Sequence, residues 1–225
     1  MKHLFSLLIP FAIIPGIVAA QVALGPEVGV NVCNYNTSHG WRLPVGGIRT
    51  GIRTDIVLAG HFNVQPGIFY VNNNMGGSHL IGGAYPTMTV RTVEIPLNIV
   101  YKARVSRVNT PFIGVGPYMG LNVGGKVTIP PGDMPYPMPT IIRQLQVGPH
   151  ATDDIKMVDA GLSFIAGLQL ANGFYTRVLF QKGLTNLQPQ GTTDALLKRM
   201  NFGFSLGYLF SAKHKVKPTP EKLSS

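Results

Sequence analysis

The chain has 225 residues, of which 45% are hydrophobic and only 12% charged, with 27 glycines and 18 prolines. That length suits one sizeable domain, but the charges are too few to coat an ordinary water-exposed surface. The formal charge of +10 is scattered except where Lys213, Lys215, Lys217 and Lys222 cluster, so lipid headgroups or a solvated tail explain it more simply than nucleic acid, which is not an expected partner.

The first residues read as a secretory signal. Lys2 supplies the basic start, Leu4 to Val18 the apolar run, and Val18, Ala19 and Ala20 the small-residue exit before Gln21, which places cleavage after Ala20. Pro10, Pro15 and Gly16 interrupt the run and argue against a retained anchor. Beyond Gln21 no stretch approaches the ~20 uninterrupted apolar residues that a spanning helix needs, so any membrane crossing must be made by strands. Cys33 is the only cysteine; it has no partner for a disulfide and lies away from the cleavage site where a lipid-anchored residue would sit.

Period-two alternation predicts eight strands, at about 26–35, 46–58, 62–72, 89–102, 111–127, 156–170, 174–184 and 198–210. In the second, Ile48, Thr50, Ile52, Thr54, Ile56 and Leu58 oppose Gly47, Arg49, Gly51, Arg53 and Asp55. In the fourth, Val93, Ile95, Leu97, Ile99 and Tyr101 oppose Thr92, Glu94, Pro96 and Asn98. The sixth sets Val158, Ala160, Leu162, Phe164 and Leu168 against Asp159, Gly161, Ser163 and Gln169. The last is the clearest, with Met200, Phe202, Phe204, Leu206, Tyr208 and Phe210 on one face and Asn201, Gly203, Ser205 and Gly207 on the other. A soluble sandwich or lipocalin-like barrel also alternates, but its outer face carries abundant Lys and Glu. Here the second face is Gly, Ser, Asn and a few mixed charges, which suits the narrow polar lumen of a membrane barrel.

The connections alternate in length, long at 36–45, 73–88, 128–155 and 185–197, and short near Gly60, Ser106–Asn109 and Ala171–Gly173. Outer-membrane barrels alternate short periplasmic turns with long outer loops in this way. The expected fold is therefore all-β: an eight-stranded antiparallel up-and-down transmembrane β-barrel over 21–210, preceded by a cleaved signal peptide over 1–20 and followed by a basic periplasmic tail over 211–225. It is expected in the cell outer membrane, with outer-membrane lipid as its surroundings and both termini periplasmic. On that orientation Phe62, Tyr101, Phe174, Tyr208 and Phe210 collect at the short-turn rim as membrane-interface aromatics, although aromatics also favour strands for ordinary reasons.

Several segments resemble the PorT-like outer-membrane β-barrel proteins typical of the Bacteroidota: Val93-Glu94-Ile95-Pro96-Leu97, Phe112-Ile113-Gly114-Val115-Gly116-Pro117-Tyr118, Asp159-Ala160-Gly161-Leu162, Gly183-Leu184-Thr185-Asn186 and the closing Leu206-Gly207-Tyr208-Leu209-Phe210. The resemblance spans nearly the whole mature chain and lies in the order and spacing of the pieces. It implies an eight-stranded outer-membrane barrel whose role varies among members, with one branch of the family tied to type IX protein secretion. The basic, Pro-containing Ser211–Ser225 departs from the simplest members, so Phe210 is not a free C-terminal insertion signal.

Chemistry is hard to find. Gly114, Gly116 and Gly120 lack the spacing and strand-to-helix context of a dinucleotide loop, and Gly124-Gly125-Lys126 lacks the rest of a phosphate loop. His39, His61, His79 and His150 fall in loops or turns without metal-ligand spacing, and none shares a motif with both a serine and a carboxylate. No enzyme activity, metal or cofactor is expected; a lipid-modifying enzyme would need His79 or His150 beside such a pair. The inward parity instead collects Arg49, Arg53, Asp55, Glu94, Asp159 and Arg177. Opposite charges in a narrow lumen must pair, which predicts a salt-bridge network that plugs the barrel; the alternative is a narrow channel for an ion or small solute. The 128–155 loop, with Pro130, Pro131, Pro135, Pro137, Pro139 and Pro149 among Met134, Tyr136 and Met138, reads equally as a surface for other envelope or secretion proteins and as a protective lid. The basic tail is a second place for such a partner. The expected role is structural or interactive.

Overall fold

The computed structural model describes residues 22–37, 40–41, 44–76, 87–103, 109–131, 139–189 and 196–211. The signal segment, most of the basic tail, His39 and His79 lie outside these residues. Eight long strands follow the alternation: β1 (Val22–Thr37), β2 (Pro44–Ala59), β3 (Phe62–Gly76), β4 (Thr87–Lys102), β5 (Asn109–Ile129), β6 (Val158–Leu170), β7 (Phe174–Gly183) and β8 (Leu197–Tyr208). Each is long enough to span the roughly 9–11 residues that a tilted strand needs to cross a bilayer.

Every strand pairs antiparallel with its sequence neighbour, and β8 returns to β1 through pairs such as Val30 with Phe204, so the sheet is closed. Closure matters because hydrocarbon offers no partner to an open edge. The register shows the tilt. Partners run from Val22 through Ile56, Val64, Ile99, Val115, Phe164, Phe180 and Phe202, and arrive back on β1 at Val32, further up the strand. A stagger of this kind is what tilted strands require in order to close.

The parity of side chains is the decisive feature. Val28, Val30, Ile48, Ile52, Ile68, Leu97, Ile99, Ile113, Val115, Phe164, Phe202, Phe204 and Leu206 are exposed on the outside, whereas Glu27, Asn31, Arg49, Arg53, Glu94, Asn98, Asp159, Ser163, Arg177 and Asn201 are buried within. A water-soluble barrel would carry the opposite arrangement, because a continuous apolar belt of this extent is far larger than the patches soluble monomers tolerate. No helix among the described residues is long and apolar enough to cross a membrane.

Several boundaries differ from the sequence expectations. The sixth strand begins at Val158 rather than 156, and the seventh ends at Gly183. The eighth stops at Tyr208, but Phe210–Ser211 pairs again with Ala23–Leu24, so the barrel runs one residue into what reads as tail. The long connections are partly ordered: Gly40–Trp41 pairs with β1, and Ile141–Gln144 pairs with the top of β5 from Lys126 to Ile129. These extensions have little alternation to reveal them, since their pairing is set by neighbouring chain rather than by a buried face.

The short turns at Gly60–His61 and Ala171–Gly173 lie at one end, with the strand ends at Lys102 and Asn109. Gly60 and Gly173 have φ of 55° and 96°, a left-handed conformation that other residues adopt only at a cost. The described parts of the long connections, Gly40–Trp41, 139–157 and 184–189, lie at the opposite end.

Candidate functional site: a filled lumen and a covered mouth

From the short-turn end upward, the interior is built in layers. Near the bottom, Asp55 accepts hydrogen bonds from Asn63 Nδ2 and Gln65 Nε2, each at 3.0 Å, and pairs with Lys102, whose Nζ also donates to Gln169 Oε1 at 2.7 Å. Beside it, Val100, Phe112, Ile165 and Leu179 form a small apolar cluster.

Above lies a continuous ionic network. Glu27 is the lower hub: Arg53 and Arg177 pair with it, Tyr175 donates its hydroxyl at 2.8 Å, and Arg49 Nε stands 4.0 Å away. Glu94 is the upper hub. It accepts from Arg49 Nη1 at 2.5 Å, Gln181 Nε2 at 2.7 Å and Arg199 Nη2 at 2.9 Å. Arg199 extends the network to Asp159 Oδ2 at 2.8 Å, which also receives the Tyr118 hydroxyl at 3.3 Å. Aromatic faces complete the surroundings of the guanidiniums, with Arg49 3.8 Å above the Phe69 ring centre and Arg199 4.8 Å from that of Tyr118. Charges removed from water are tolerable only when partnered in this way.

The structure thus places Arg49, Arg53, Glu94, Asp159 and Arg177 in one network, while Asp55 pairs with Lys102 in the lower cluster and is joined to the network through Gln65, which donates to Asp55 and accepts from Arg53 Nη1 at 3.0 Å. Three members escaped the sequence reading: Glu27, Lys102 and Arg199. Lys102 and Arg199 share inward parity with residues assigned to that face, Asn98 and Asn201, while the sequence reading assigns no faces to the first strand, which carries Glu27. Applying the same two-residue rule to the strand ends would have found them.

Beside Arg199 and Asp159 at the upper end of the charges lies an amide layer. Asn31 Nδ2 donates to Asn73 Oδ1 and Asn201 Oδ1, Asn201 donates to Gln181, Asn73 to Thr92, and Thr92 to Asn122. The top is apolar: Cys33, Tyr35, Met75, Val90 and Leu197 from the strands meet Leu145, Ile155 and Leu187 from the long connections. Residues 139–157 are therefore folded over the mouth. Arg143 Nη1 and Nη2 grip Asp154 at 2.6 and 2.7 Å, and Gln146 N–H donates to the same carboxylate at 2.9 Å.

Those hydrogen bonds from Arg143 hold the Asp154 carboxyl below its usual range. A folded value below the unfolded one means that the stabilisation is fully present above the ordinary aspartate range and is lost as pH falls through the folded value. Arg143 is nearly half exposed, so solvent screening limits the effect to at most about 1 kcal/mol. Asp154→Asn should accordingly speed hydrogen exchange in 139–157 by up to about fivefold at neutral pH, and wild type should approach the variant as pH falls below the ordinary aspartate range. An unchanged exchange rate would show that the buried Leu145 and Ile155 hold this segment alone.

One close approach supports the lower hub. A side chain on Gly207 would meet the Tyr175 ring, the ring whose hydroxyl serves Glu27. Gly207→Val is expected to destabilise the barrel by about 1–3 kcal/mol through overpacking, read as a lower urea midpoint in vesicles; no change would mean that Tyr175 has room to move.

At the short-turn rim, Phe62, Tyr101, Phe174 and Phe210 are exposed, with Tyr208 half-buried between the last two. Phe62 meets Tyr101 edge-on at 5.4 Å, and Tyr208 meets Phe174 at 4.9 Å and Phe210 at 4.7 Å. Their amphipathic or bulky rings sit at the lower edge of the apolar belt, where membrane proteins concentrate aromatics. Among the described residues no group of His, Cys, Asp and Glu is arranged to hold a metal. His150 donates its backbone N–H to the Asp153 carboxylate, and the His61 ring meets the Lys102 carbonyl and the Tyr101 ring.

Comparison with solved structures finds small outer-membrane proteins. OprG from Pseudomonas aeruginosa is 12% identical with a TM-score of 0.48, covering 86% of this chain and 97% of its own. Neisserial surface protein A is 9% identical with a TM-score of 0.46, covering 83% and 97%. Ail of Yersinia pestis, in complex with the heparin analogue sucrose octasulfate, is 11% identical with a TM-score of 0.43, covering 84% and 99%. No curated protein matches the chain. The family model described as outer membrane protein beta-barrel domain matches residues 18–188, most of the closed sheet just described, and the chain belongs to that family.

Proposed function

We propose that this small outer-membrane barrel is a non-conducting scaffold whose long-loop end contacts other proteins of the cell envelope. The observation that carries this reading is the layered interior. Two buried ionic hubs, an amide layer and an apolar cap fill the cross-section, and eight-stranded barrels leave little further room. What remains available is the outer surface of the connections. There Ile141, Ile142 and Met157 are exposed, so segment 139–157 turns some apolar side chains inward as a lid and others outward as a contact surface.

In this reading the long connections face the cell exterior and both termini the periplasm. The resemblance to PorT-like barrels of the Bacteroidota makes components of type IX secretion the first partner class to seek, through 139–157 or the basic tail. A photo-crosslinking residue at Ile142, activated in the native envelope, should capture a discrete envelope protein. Capture of nothing but lipid at Ile141, Ile142 and the tail would count against the proposal. Discrete conductance steps from the folded protein in planar bilayers would favour the narrow channel instead.

A further inference from the structure

The outward wall is not uniform in charge. Arg91 on β4, Lys126 on β5 and Lys182 on β7 are exposed, and Lys198 on β8 is half-buried. All four stand on the outward parity at the long-loop end of the apolar belt. Lys182 follows the exposed Phe180 on β7, and Lys198 precedes the exposed Phe202 on β8. Their positions pair them off. Thr89 is the partner of Lys126 and Gly124 of Arg91, so Arg91 and Lys126 are diagonal neighbours on adjacent strands. Met200 is the partner of Lys182, which makes Lys182 and Lys198 a second diagonal pair. Nearer the short turns, the described outward positions of all eight strands carry no charged residue.

None of the four cations forms an ion pair with a described residue; the barrel's carboxylates Glu27, Asp55, Glu94 and Asp159 all point inward, and Asp154 of the covering segment is held by Arg143. Unpaired cations at the edge of a lipid-facing wall lie where headgroups lie. There each is attracted by anionic groups on the lipid, and the long lysine and arginine stems can rest on the belt while the charge reaches the interface.

We infer that these two pairs bind the phosphate groups of phosphorylated glycolipid in the leaflet at the long-loop end. The inference rests on the membrane orientation proposed above. The two diagonal pairs, separated along the wall by β6, offer each phosphate two cations, and the uncharged lower wall offers none. One face of the barrel, from β4 to β8, therefore carries the lipid contact.

The test uses the full mature chain folded in phosphatidylcholine vesicles and then examined by native mass spectrometry with purified lipid A, dephosphorylated lipid A or phosphatidylethanolamine. Wild type should retain phosphorylated lipid A preferentially. R91Q/K126Q/K182Q/K198Q should fold equally, because all four positions are on the surface, and should lose about tenfold or more in apparent affinity for it, consistent with the summed attraction of several interfacial cations. Equal retention of phosphorylated and dephosphorylated lipid, or by wild type and variant, would overturn this inference alone. Failure of wild type to insert into any vesicle, seen as absence of a heat-modifiable folded species, would overturn the membrane reading together with it.

Discussion

Replacing Glu94 by glutamine should cost about 3–5 kcal/mol of unfolding stability, the range seen when one member of a buried ion pair is removed. Glu94 is fully buried and accepts from Arg49, Arg199 and Gln181. The substitution keeps the shape but removes the charge that two guanidiniums share. Arg199 would still have Asp159. Arg49 would retain only the distant Glu27 and the face of Phe69, so it is the group left stranded in a medium that cannot solvate it. This identifies the compensating change: Arg49→Met in the Glu94→Gln background should recover more than half of the loss, because a buried cation is exchanged for an apolar side chain of similar length. Urea unfolding in lipid vesicles measures both variants and their coupling. A loss below about 0.5 kcal/mol for Glu94→Gln would mean that water reaches the network and that the lumen is not sealed, since exposed ion pairs contribute that little.

The second large effect concerns the other side of the sheet. Val115 lies halfway along the register path that climbs from Val22 to Val32, is exposed, and has Ile99 and Phe164 as its partners. Val115→Arg should destabilise the vesicle-embedded barrel by about 2–4 kcal/mol, the cost of an arginine near the bilayer midplane of a barrel. Val158, also exposed but at the upper edge near the lysines, should tolerate arginine at a cost of about 0–1 kcal/mol. The contrast between the two sites is the informative part, because the same valine-to-arginine change is made on the outer face at both and the sites differ in depth, Val158 standing at the end of its strand with Leu121 as its one ladder partner. If the two substitutions cost the same, the exposed belt is not in hydrocarbon.

The alternation made the barrel readable because one physical rule governs every strand: a side chain faces either hydrocarbon or a crowded polar interior, and successive residues face opposite ways. Met200 to Phe210 shows the rule without exception until Leu209, where the chain leaves the ladder before pairing again at Phe210. The rule also placed Arg49, Arg53, Asp55, Glu94, Asp159 and Arg177 on the inner face. It does not say which charge meets which, since that depends on the stagger between strands distant in sequence; Glu27 on β1 meets Arg177 on β7 only because the sheet closes. The covering segment was harder to read. The prolines of 128–155 mark a stiff connection, but the inward placement of Leu145 and Ile155 is dictated by the apolar ring of Cys33, Tyr35, Met75, Val90 and Leu197 beneath them, not by a periodic pattern of their own. Met134, Tyr136 and Met138 lie outside the described residues.

The central claim is that lipid meets the apolar face of the closed sheet while the charges are enclosed. It is tested most directly by attaching spin labels singly at Ile95, Ile99, Val115, Phe164 and Phe204 in a Cys33→Ser background and measuring relaxation by oxygen and by a water-soluble nickel chelate in vesicles. All five positions are exposed on the outer wall. They should be reached readily by oxygen, which concentrates in hydrocarbon, and poorly by nickel. Ready access of nickel at these sites would place them in water and contradict the account.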